Sequence, residues 1–322
     1  MIKKNIPVFF SIDDHYVPFL AVAISSLIDN ASTDRYNYTI HVLHQGVKAE
    51  HQKKIKALAR DGFKIEFTSI NKQYQSIKAD FSGNKLASLN RFTLTIFFRL
   101  FIPDMFLFYG KGIYLDSDIC VTGDISELYE QKLGRNLLGA CSDLSIQQIE
   151  PFTNYVVKVV GVDKPMDYIN SGVLLMDLRK LRWVRMGRRF LDLNAKYHFD
   201  SVAPDQDYIN SMCKGRILYL DPKWDAMSGH APEGMERPGI IHYNLFEKPW
   251  LKDGVQFEEY FWQYAGKSGF LEEIKAIKAA VTQETLDQAA ANADSMIKRS
   301  IEIAGHDNNM ADVFGSGLEK RL

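Results

Sequence analysis

Two carboxylates stand one residue apart at the end of an apolar run in the stretch GKGIYLDSDICVTGD, residues 110–124. If Asp116 and Asp118 continue the strand that this run predicts, their side chains share one face about 6.5 Å apart. At an effective dielectric constant of about 20, the repulsion between them is then roughly 2.5 kcal/mol. A divalent cation removes that cost, and two oxygen donors at the carboxyl end of a strand suit Mg²⁺ or Mn²⁺ bridging a diphosphate. The competing interpretation makes both of them solvated loop carboxylates, or makes one of them cap a turn.

Other polar side chains follow predicted strands in the same way. Asp13, Asp14 and His15 come directly after the first apolar segment, where an aspartate also serves as the N-cap of the next helix. In the segment NSGVLL, the amide of Asn170 can hydrogen-bond hydroxyl groups, and Gly172 allows close backbone approach. Taken alone, this segment is typical of a turn.

Two further segments carry polar groups of possible chemical use. PDQDYIN places Asp205, Gln206 and Asp207 in the first turn of a helix, where acidic residues also complement the helix dipole. In IIHYNLFEKPW, His242 ends a predicted strand and Lys248 follows it. One histidine at a strand end is more often structural than metal-bound. It would nevertheless complete a set of two carboxylates and one imidazole that suits Mn²⁺.

The elements that must position these residues alternate between strands and helices. IPVFFSI, YTIHVLHQG and FKIEFTSI are predicted strands, and the helical segments between them include KAEHQKKIKALARDG, which we expect to end at Gly62. This alternation predicts an α/β fold with a mostly parallel central sheet and crossover helices. Asp124 and Glu127 of GDISEL are spaced almost as in a capping box, with Asp124 as the N-cap.

The character of the sequence changes near residue 257. We expect residues 1–256 to form the catalytic domain and residues 257–322, which are polar and rich in alanine, to form a helical C-terminal extension with a poorly ordered end. Its segment FEEYFWQY is aromatic but lies close to Glu247, Glu258 and Glu259. Core packing or oligomer formation is therefore favoured over membrane contact for this segment.

Composition excludes several classes of protein. A net charge of −1 and a pI of about 6.7 argue against a nucleic-acid binder. Three cysteines without a CxxC pair argue against a disulfide framework and a cysteine-rich zinc site. Asp13 and Asp14 interrupt the first apolar run before a signal-peptide core could form, and no apolar stretch approaches about 18 residues, so we expect neither a signal peptide nor a membrane span. The cysteine set fits a reducing cytosol, so we expect a cytoplasmic location. The absence of GxGxxG, Walker, GxSxG and HExxH motifs disfavours nicotinamide-dependent hydride transfer and P-loop hydrolysis.

Seven segments together resemble, in order and spacing, the retaining glycosyltransferases of family 8. They are FFSIDDHY, FFRLFIPDMF, GIYLDSDICVTGDISELYE, LLGACSD, YINSGVLLMDLRKLR, PDQDYIN and IHYNLFEKPW. The resemblance runs from about Val8 to Trp250. It implies the nucleotide-sugar-binding fold called GT-A, Mn²⁺ or Mg²⁺, and transfer of a hexose from a UDP-sugar to a saccharide or glycolipid hydroxyl. Bacterial surface polysaccharide or lipopolysaccharide synthesis, with weak association at the inner membrane face, is the setting that it implies.

The resemblance also implies roles for individual residues. Asp116 and Asp118 match the metal-binding D-x-D pair, and His242 matches its third ligand. Asp13 is similar to the residue that contacts uracil, and His15 lies in the same nucleotide-binding segment.

The donor sugar and the acceptor involve a second group of matches. The predicted donor-sugar contacts are Arg99, Asn170, Asp205 and Asp116. Gln206 matches the residue beneath the anomeric carbon, Lys248 the lysine that steadies the leaving diphosphate, and Asp143 a position that contacts the acceptor. Gln206, Asp205 and Lys248 are thus the predicted catalytic residues.

Two positions depart from the family pattern. Arg91 stands where some relatives have a histidine near the diphosphate. Leu245 stands where several relatives have a glycine that allows the backbone to approach the diphosphate.

Two other functions compete with glycosyl transfer. A haloacid-dehalogenase-type phosphatase also uses a D-x-D, but on the first strand of its core, whereas here the pair lies beyond residue 110. A degenerate transferase that only binds UDP-sugars requires the loss of a catalytic residue, and every matched polar position is filled. The sequence encodes neither the sugar nor the acceptor nor the oligomeric state.

Overall fold

Ten strands in two sheets form the centre of the part of the protein that a computed structural model describes, residues 3–70 and 94–322. The strands are β1 (Lys4–Ile12), β2 (Tyr36–His44), β3 (Phe63–Ser69), β4 (Gly112–Leu115), β5 (Ile119–Val121), β6 (Leu138–Ala140), β7 (Val173–Met176), β8 (Ile217–Tyr219), β9 (Ala226–Met227) and β10 (Ile240–His242). Arg91 lies outside the described residues.

The larger sheet has the strand order β3-β2-β1-β4-β7-β6-β8. β1 pairs in parallel with β2 and β4, β2 with β3, and β6 with β8. Only β7 runs against its neighbours, β4 and β6, among the described strands of this sheet. The predicted mostly parallel sheet is therefore confirmed. A smaller sheet of order β5-β10-β9 adjoins it.

Helices cover both faces of the larger sheet. They are α1 (Val17–Asn30), α2 (Ala49–Lys56), α3 (Ile102–Met105), α4 (Ile125–Glu130), α5 (Glu150–Tyr155), α6 (Leu178–Trp183), α7 (Met186–Tyr197), α8 (Pro204–Cys213), α9 (Glu258–Ala265), α10 (Leu271–Ala279), α11 (Gln283–Ile303) and α12 (Met310–Gly315). Alternate residues of β1 enter different cores because strand side chains alternate between faces. Val8 and Phe10 pack with α1, whereas Phe9 packs on the side of α6, α7 and α8.

Some local structure differs from the prediction. α2 ends at Lys56 rather than Gly62, and the backbone N–H groups of Leu58 and Ala59 beyond it bond to the carbonyl oxygens of Ile55 and Lys56. The Arg60 side chain turns back to the carbonyl oxygen of Ile28 and to Asp29. A 3₁₀ helix, Leu94–Phe101, precedes α3.

The predicted N-cap of α4 is confirmed, but its capping box is not. The Asp124 carboxylate accepts a hydrogen bond from the backbone N–H of Ser126 at 3.0 Å. Glu127 pairs with Lys223 at 3.6 Å instead of closing a capping box. Asp124 thus has the structural role expected of it.

The C-terminal extension shares the cores of the catalytic domain. Phe261 and Tyr264 of α9 are buried in the same cluster as α1, in agreement with core packing for the segment FEEYFWQY. The expectation of a poorly ordered end stays a prediction, and the structure has a packed helix in this part of the chain. Met310, Val313 and Phe314, spaced three and four residues apart, form one buried face of α12 that packs into the cluster beneath α7 and α8.

Candidate active site

The D-x-D pair lies where the chain passes from the larger sheet to the smaller one. Asp116 and Asp118 do not continue β4; they occupy the short link between the end of β4 and the start of β5. β10 runs antiparallel to β5 and places His242 opposite Ile119. One ligand atom from each of Asp116, Asp118 and His242 lies within 4.8 Å of the other two. The three predicted metal ligands therefore converge on one point.

Gly172, the residue before β7, leaves space for this convergence. A Cβ atom at Gly172 would lie 2.4 Å from Cε1 of His242 and 2.9 Å from Oδ2 of Asp116. No side chain fits there without displacing a predicted metal ligand. The close approach predicted for this glycine is thus observed, toward the ligands themselves.

Asp225, which the sequence analysis missed, orients the His242 ring. Nδ1 of His242 hydrogen-bonds Oδ1 of Asp225 at 2.9 Å, and Nε2 points to Oδ1 of Asp118 at 3.4 Å. Burial lowers the pKa of His242, but the two carboxylates outweigh it and raise that pKa to about 10. Burial also raises the pKa of Asp225. A carboxylate behind a ligating imidazole fixes the tautomer that offers Nε2 to a metal.

Lys248 lies directly beside the pair. Its buried ammonium group donates hydrogen bonds to Oδ2 of Asp118 and to the carbonyl oxygen of Tyr243. Burial alone would raise the pKa of Asp118, but Lys248 and His242 hold it well below its usual range. Asp118 is therefore an anion that interacts with two cationic side chains at once.

Arg99 ties the D-x-D link to the start of α8. Its guanidinium contacts Oδ1 of Asp116 at 2.9 Å, Oδ2 of Asp205 at 3.1 Å and the Ser171 hydroxyl at 3.0 Å. Burial would lower the pKa of Arg99, but Asp116 and Asp205 raise it above its usual value, so this buried residue is charged. Arg99 thereby joins the 3₁₀ helix that carries it to the D-x-D link, the segment before β7 and α8.

Asp143 connects Asn170 and Gln206. Its Oδ2 accepts hydrogen bonds from the amide of Gln206 at 2.8 Å and from the amide of Asn170 at 3.1 Å. The side-chain oxygen of Gln206, Oε1, accepts a hydrogen bond from the backbone N–H of Ser171 at 2.9 Å. Because both ends of its amide are engaged, Gln206 is fixed with its oxygen toward the strand entry.

The structure separates Asp207 from its two neighbours in PDQDYIN. Asp207 is fully buried and accepts hydrogen bonds from the hydroxyls of Tyr155 and Tyr168, each at 2.6 Å. Burial raises its pKa, and the hydroxyl donors oppose that shift. Asp205 and Gln206 line the cavity described below, whereas Asp207 anchors the helix that carries them.

Asp13 and His15 lie at the end of β1, the strand next to β4. The Asp13 carboxylate accepts backbone N–H groups of His15 and Tyr16 at 3.0 and 3.2 Å, which is the capping role expected for this position. His15 is exposed. The Asp14 side chain is directed toward α2, where it accepts a hydrogen bond from the Lys48 backbone and pairs with His51.

A cavity of about 190 Å³ opens between these residues. Its lining includes every residue predicted to bind the metal, the nucleotide-sugar donor or the acceptor except Asp13, His15 and Lys248. Sequence analysis missed several of its other residues, among them Asn244. The buried side-chain carbonyl oxygen of Asn244 has no hydrogen-bond partner among the described residues and is therefore free for a ligand.

Leu245 lines the same cavity with an unusual backbone. Its φ angle of 48° lies in the left-handed region, which glycine adopts without strain and a leucine rarely does. The side chain is 46% exposed. The loop between His242 and Lys248 thus keeps a backbone conformation that suits glycine although it carries a leucine.

Comparisons with known structures define the class of fold. The galactosyltransferase LgtC, solved in complex with donor and acceptor sugar analogues, superimposes with a TM-score of 0.65 and is 26% identical; the match covers 81% of this chain and 96% of that one. The fold is therefore GT-A, as predicted.

Sequence comparisons define the family. The sequence model of glycosyl transferase family 8 matches residues 7–254, so the chain belongs to this family. The glycosyltransferase GlyE of Streptococcus pneumoniae is 28% identical over 274 residues, which are 80% of this chain and 60% of GlyE. The lipopolysaccharide 1,2-glucosyltransferase of Escherichia coli is 25% identical over 264 residues, 76% of this chain and 72% of that protein.

These relationships give the phosphatase interpretation no support. Among the described residues, no helix combines the length and apolar character needed to cross a membrane.

Proposed function

We propose that the protein is a metal-dependent retaining hexosyltransferase that moves a hexose from a UDP-sugar to a saccharide or glycolipid hydroxyl. The convergence of Asp116, Asp118 and His242 around Gly172, with Lys248 beside them, supports this proposal most directly. Membership of family 8 and the likeness to a lipopolysaccharide glucosyltransferase favour bacterial surface-glycan assembly as its setting.

The three side chains proposed as metal ligands, Asp116, Asp118 and His242, suit a hard or borderline divalent cation. Two carboxylates and one imidazole suit Mn²⁺ or Mg²⁺, and Gly172 leaves space where a side chain would collide with them. Asp116, Asp118 and the Nε2 atom of His242 would hold the ion. When bound, the ion would neutralise charge on the diphosphate of the donor.

Lys248 is proposed to hold the leaving diphosphate. Its pKa is raised because Asp118 outweighs the effect of burial, so its side chain is an ammonium ion at neutral pH. A fixed positive charge stabilises the negative charge that develops on a leaving group as the bond to the sugar breaks. We assign the uracil to Asp13 and His15, which lie at the end of the neighbouring strand.

The donor hexose is proposed to lie against Arg99, Asn170, Asp205 and Gln206. Gln206 sits beneath the anomeric carbon in this arrangement, but an amide is a feeble nucleophile. Retention then follows from attack on the face that the nucleotide leaves, with a UDP oxygen helping to deprotonate the acceptor hydroxyl. Asp143, hydrogen-bonded to Gln206, would meet the acceptor. A covalent glycosyl adduct trapped on Asp205 or Gln206 during normal turnover would contradict this route.

A panel of UDP-sugars tests the proposed function. We expect one UDP-hexose to be hydrolysed slowly without an acceptor, in a reaction that requires Mn²⁺ or Mg²⁺ and stops with a chelator. Release of UDP would be followed by chromatography, with simple phosphate esters as the comparison substrates. Binding of UDP without hydrolysis or transfer would favour the degenerate, non-catalytic alternative.

We also propose weak association with an anionic membrane surface, through a patch formed by α6 and the loop before β4. Trp183 is 82% exposed, Phe108 is fully exposed, and Arg182 joins the two segments by donating to the Phe106 and Tyr109 carbonyl oxygens. Arg179 of α6 and Arg185, which follows that helix, are exposed basic residues of the patch. Lys180 instead pairs with Asp177, and Arg188 and Arg189 of α7 pair with Asp192 and Glu319. Exposed aromatic and basic side chains together favour an anionic lipid surface.

A further inference from the structure

The cavity has two chemically different walls. One carries the charged and amide groups already described. The other is built from aliphatic and aromatic side chains, chiefly Ile146, Phe152, Val156, Val202 and Met296. All but Met296 are nearly fully buried, and they belong to one apolar cluster. A ligand that fills the cavity must therefore present a polar side and an apolar side.

Two tyrosines line the cavity without adding hydrogen-bonding capacity to the apolar wall. The hydroxyl groups of Tyr155 and Tyr168 both donate to Asp207, and the Tyr155 oxygen also accepts the backbone N–H of Val202. These polar atoms are already engaged within the protein. The apolar character of the wall is thus maintained by the same buried carboxylate that anchors α8.

The C-terminal extension completes this wall. Met296 and Ile297 of α11 pack against the apolar cluster, and α11 contacts α5 directly. Arg299 fixes the helix through an ion pair with Asp200, at 3.0 Å, in the segment just before α8. The extension is therefore part of the binding cavity rather than an appendage to it.

Asp143 and Ser145 lie where the two walls meet. Both line the cavity, and the Ser145 hydroxyl donates to the Asp143 carboxylate. Asp143 also binds Gln206, and its close neighbours in sequence, Ser145 and Ile146, lead from it into the apolar wall. The acceptor is the substrate expected at that position.

A sugar hydroxyl that faced the apolar wall would lose its hydrogen bonds to water and gain none. A methyl group there would instead be removed from water at a gain. We propose that the wall recognises a methyl-bearing group of the acceptor saccharide, either the acetamido methyl or the methyl of a 6-deoxy sugar. This inference rests on the proposed transferase function.

Matched acceptor pairs test the inference. Each pair is prepared once with a methyl aglycone and once with an octyl aglycone, and its two members differ only in the methyl-bearing group. The pairs are an N-acetylhexosamine against the parent hexose, and a 6-deoxyhexose against the hexose with its 6-hydroxyl. We expect kcat/KM for transfer to favour the methyl-bearing member of one pair by about tenfold or more, the size of effect that an apolar pocket supplies.

Met296→Gln keeps a side chain of similar length and adds a polar amide to the wall. We expect it to reduce the preference within the favoured pair, mainly through the KM of the acceptor. Ile301→Gln is the matched control, because Ile301 lies on the same helix, is 57% exposed and does not line the cavity. Thermal unfolding of both variants verifies that the helix stays in place.

Three results would overturn the inference while leaving the proposed function intact. They are equal use of both members in every pair, a preference that follows the aglycone instead of the sugar, and an equal loss of acceptor-free hydrolysis and of transfer in Met296→Gln. The last result would place the donor against the wall. Failure of every UDP-sugar to be hydrolysed or transferred would overturn the proposed function itself, and the inference with it.

Discussion

Asp118 is the carboxylate of the site that interacts with two cationic side chains. It faces the His242 imidazole and the Lys248 ammonium group, and both lower its pKa. Its carboxylate therefore stays ionised despite burial, as a ligand for a divalent cation must. Asp116, the other carboxylate near His242, differs from Asp118, since among the described residues it forms an ion pair with Arg99 alone.

Asp118→Ala tests the metal assignment. We expect Mn²⁺-dependent hydrolysis of the UDP-sugar to fall by about 100-fold or more, because the variant loses a ligand and the partner of Lys248. Asp124→Ala is the control from the same stretch: it loses a helix N-cap, worth about 1 kcal/mol of folding free energy, and keeps its hydrolysis rate. Near wild-type hydrolysis in Asp118→Ala would remove the metal assignment.

Asp225 is a positioning residue, since it contacts His242 rather than a substrate. Asp225→Asn is expected to raise the Mn²⁺ concentration needed for half-maximal activity by about 10- to 100-fold, as loss of a partner behind a metal ligand typically does. Saturating Mn²⁺ should restore most of the maximal rate. Measurement of activity against Mn²⁺ concentration separates these two quantities.

Asp221→Asn is the matched control for Asp225→Asn. Asp221 stands in the same loop, where its carboxylate caps a short helical turn by accepting the backbone N–H of Lys223 at 2.9 Å. We expect its Mn²⁺ dependence to match that of the wild type. A loss of rate in Asp225→Asn that excess Mn²⁺ cannot restore would contradict the positioning role.

At the scale of elements, α12 shows how the C-terminal extension is held. Its buried face packs beneath α7 and α8, and Glu319, just beyond it, pairs with Arg189 at 2.8 Å and Lys196 at 2.8 Å. Hydrogen bonding to Lys196 and Arg189 lowers the pKa of Glu319 to about 2. Both the apolar face and the ion pairs fasten the end of the chain to the helices that follow β7.

Phe314→Ala tests this packing. Loss of a buried phenylalanine typically costs about 3 kcal/mol, so the free energy of unfolding measured in urea should fall by about that amount. Leu318→Ala, four residues further on, removes a side chain that is 70% exposed and should change the free energy by less than about 0.5 kcal/mol. Equal effects of the two substitutions would mean that α12 is not packed in solution.

At the scale of the whole molecule, the cavity and the patch formed by α6 and the loop before β4 lie at opposite ends of the strands of the larger sheet. Asp116 follows the carboxyl end of β4, whereas Phe108 and Gly110 precede its amino end. Arg179, at the start of α6, lies against Gly110 and so joins the patch. Membrane contact through the patch would leave the cavity open to UDP-sugar and to an acceptor that extends from the surface.

Vesicle flotation tests the patch. We expect weak binding to vesicles that contain phosphatidylglycerol, lost at high salt because exposed charges are screened, and absent with phosphatidylcholine alone. Trp183→Ser should abolish it, whereas Tyr219→Ser, which alters an exposed aromatic residue elsewhere, should not.

Quenching by brominated lipids gives a second measure of the same contact. Trp183 is strongly exposed, whereas Trp224 and Trp250 are buried and Trp262 is partly buried. Trp183→Phe should therefore remove most of the quenching. Binding that survives Trp183→Ser and persists at high salt would contradict the proposal.

The sequence by itself determined the mostly parallel sheet, the family, and most of the polar side chains that line the cavity. Apolar runs and motif spacings are local patterns, and strand ends in a parallel sheet meet at one edge. Helix ends were less well determined: α2 ends at Lys56, and Arg60 beyond it bonds to the distant carbonyl oxygen of Ile28, a contact that no local pattern records.

Only the tertiary structure decided which neighbours in sequence share a task. It separated Asp207 from Gln206, placed Asp225 behind His242, and brought Met296 into the wall of the cavity. None of these contacts follows from a local pattern. Each joins segments that are separate in the chain, and whether they meet depends on how whole elements pack, which no spacing along one segment records.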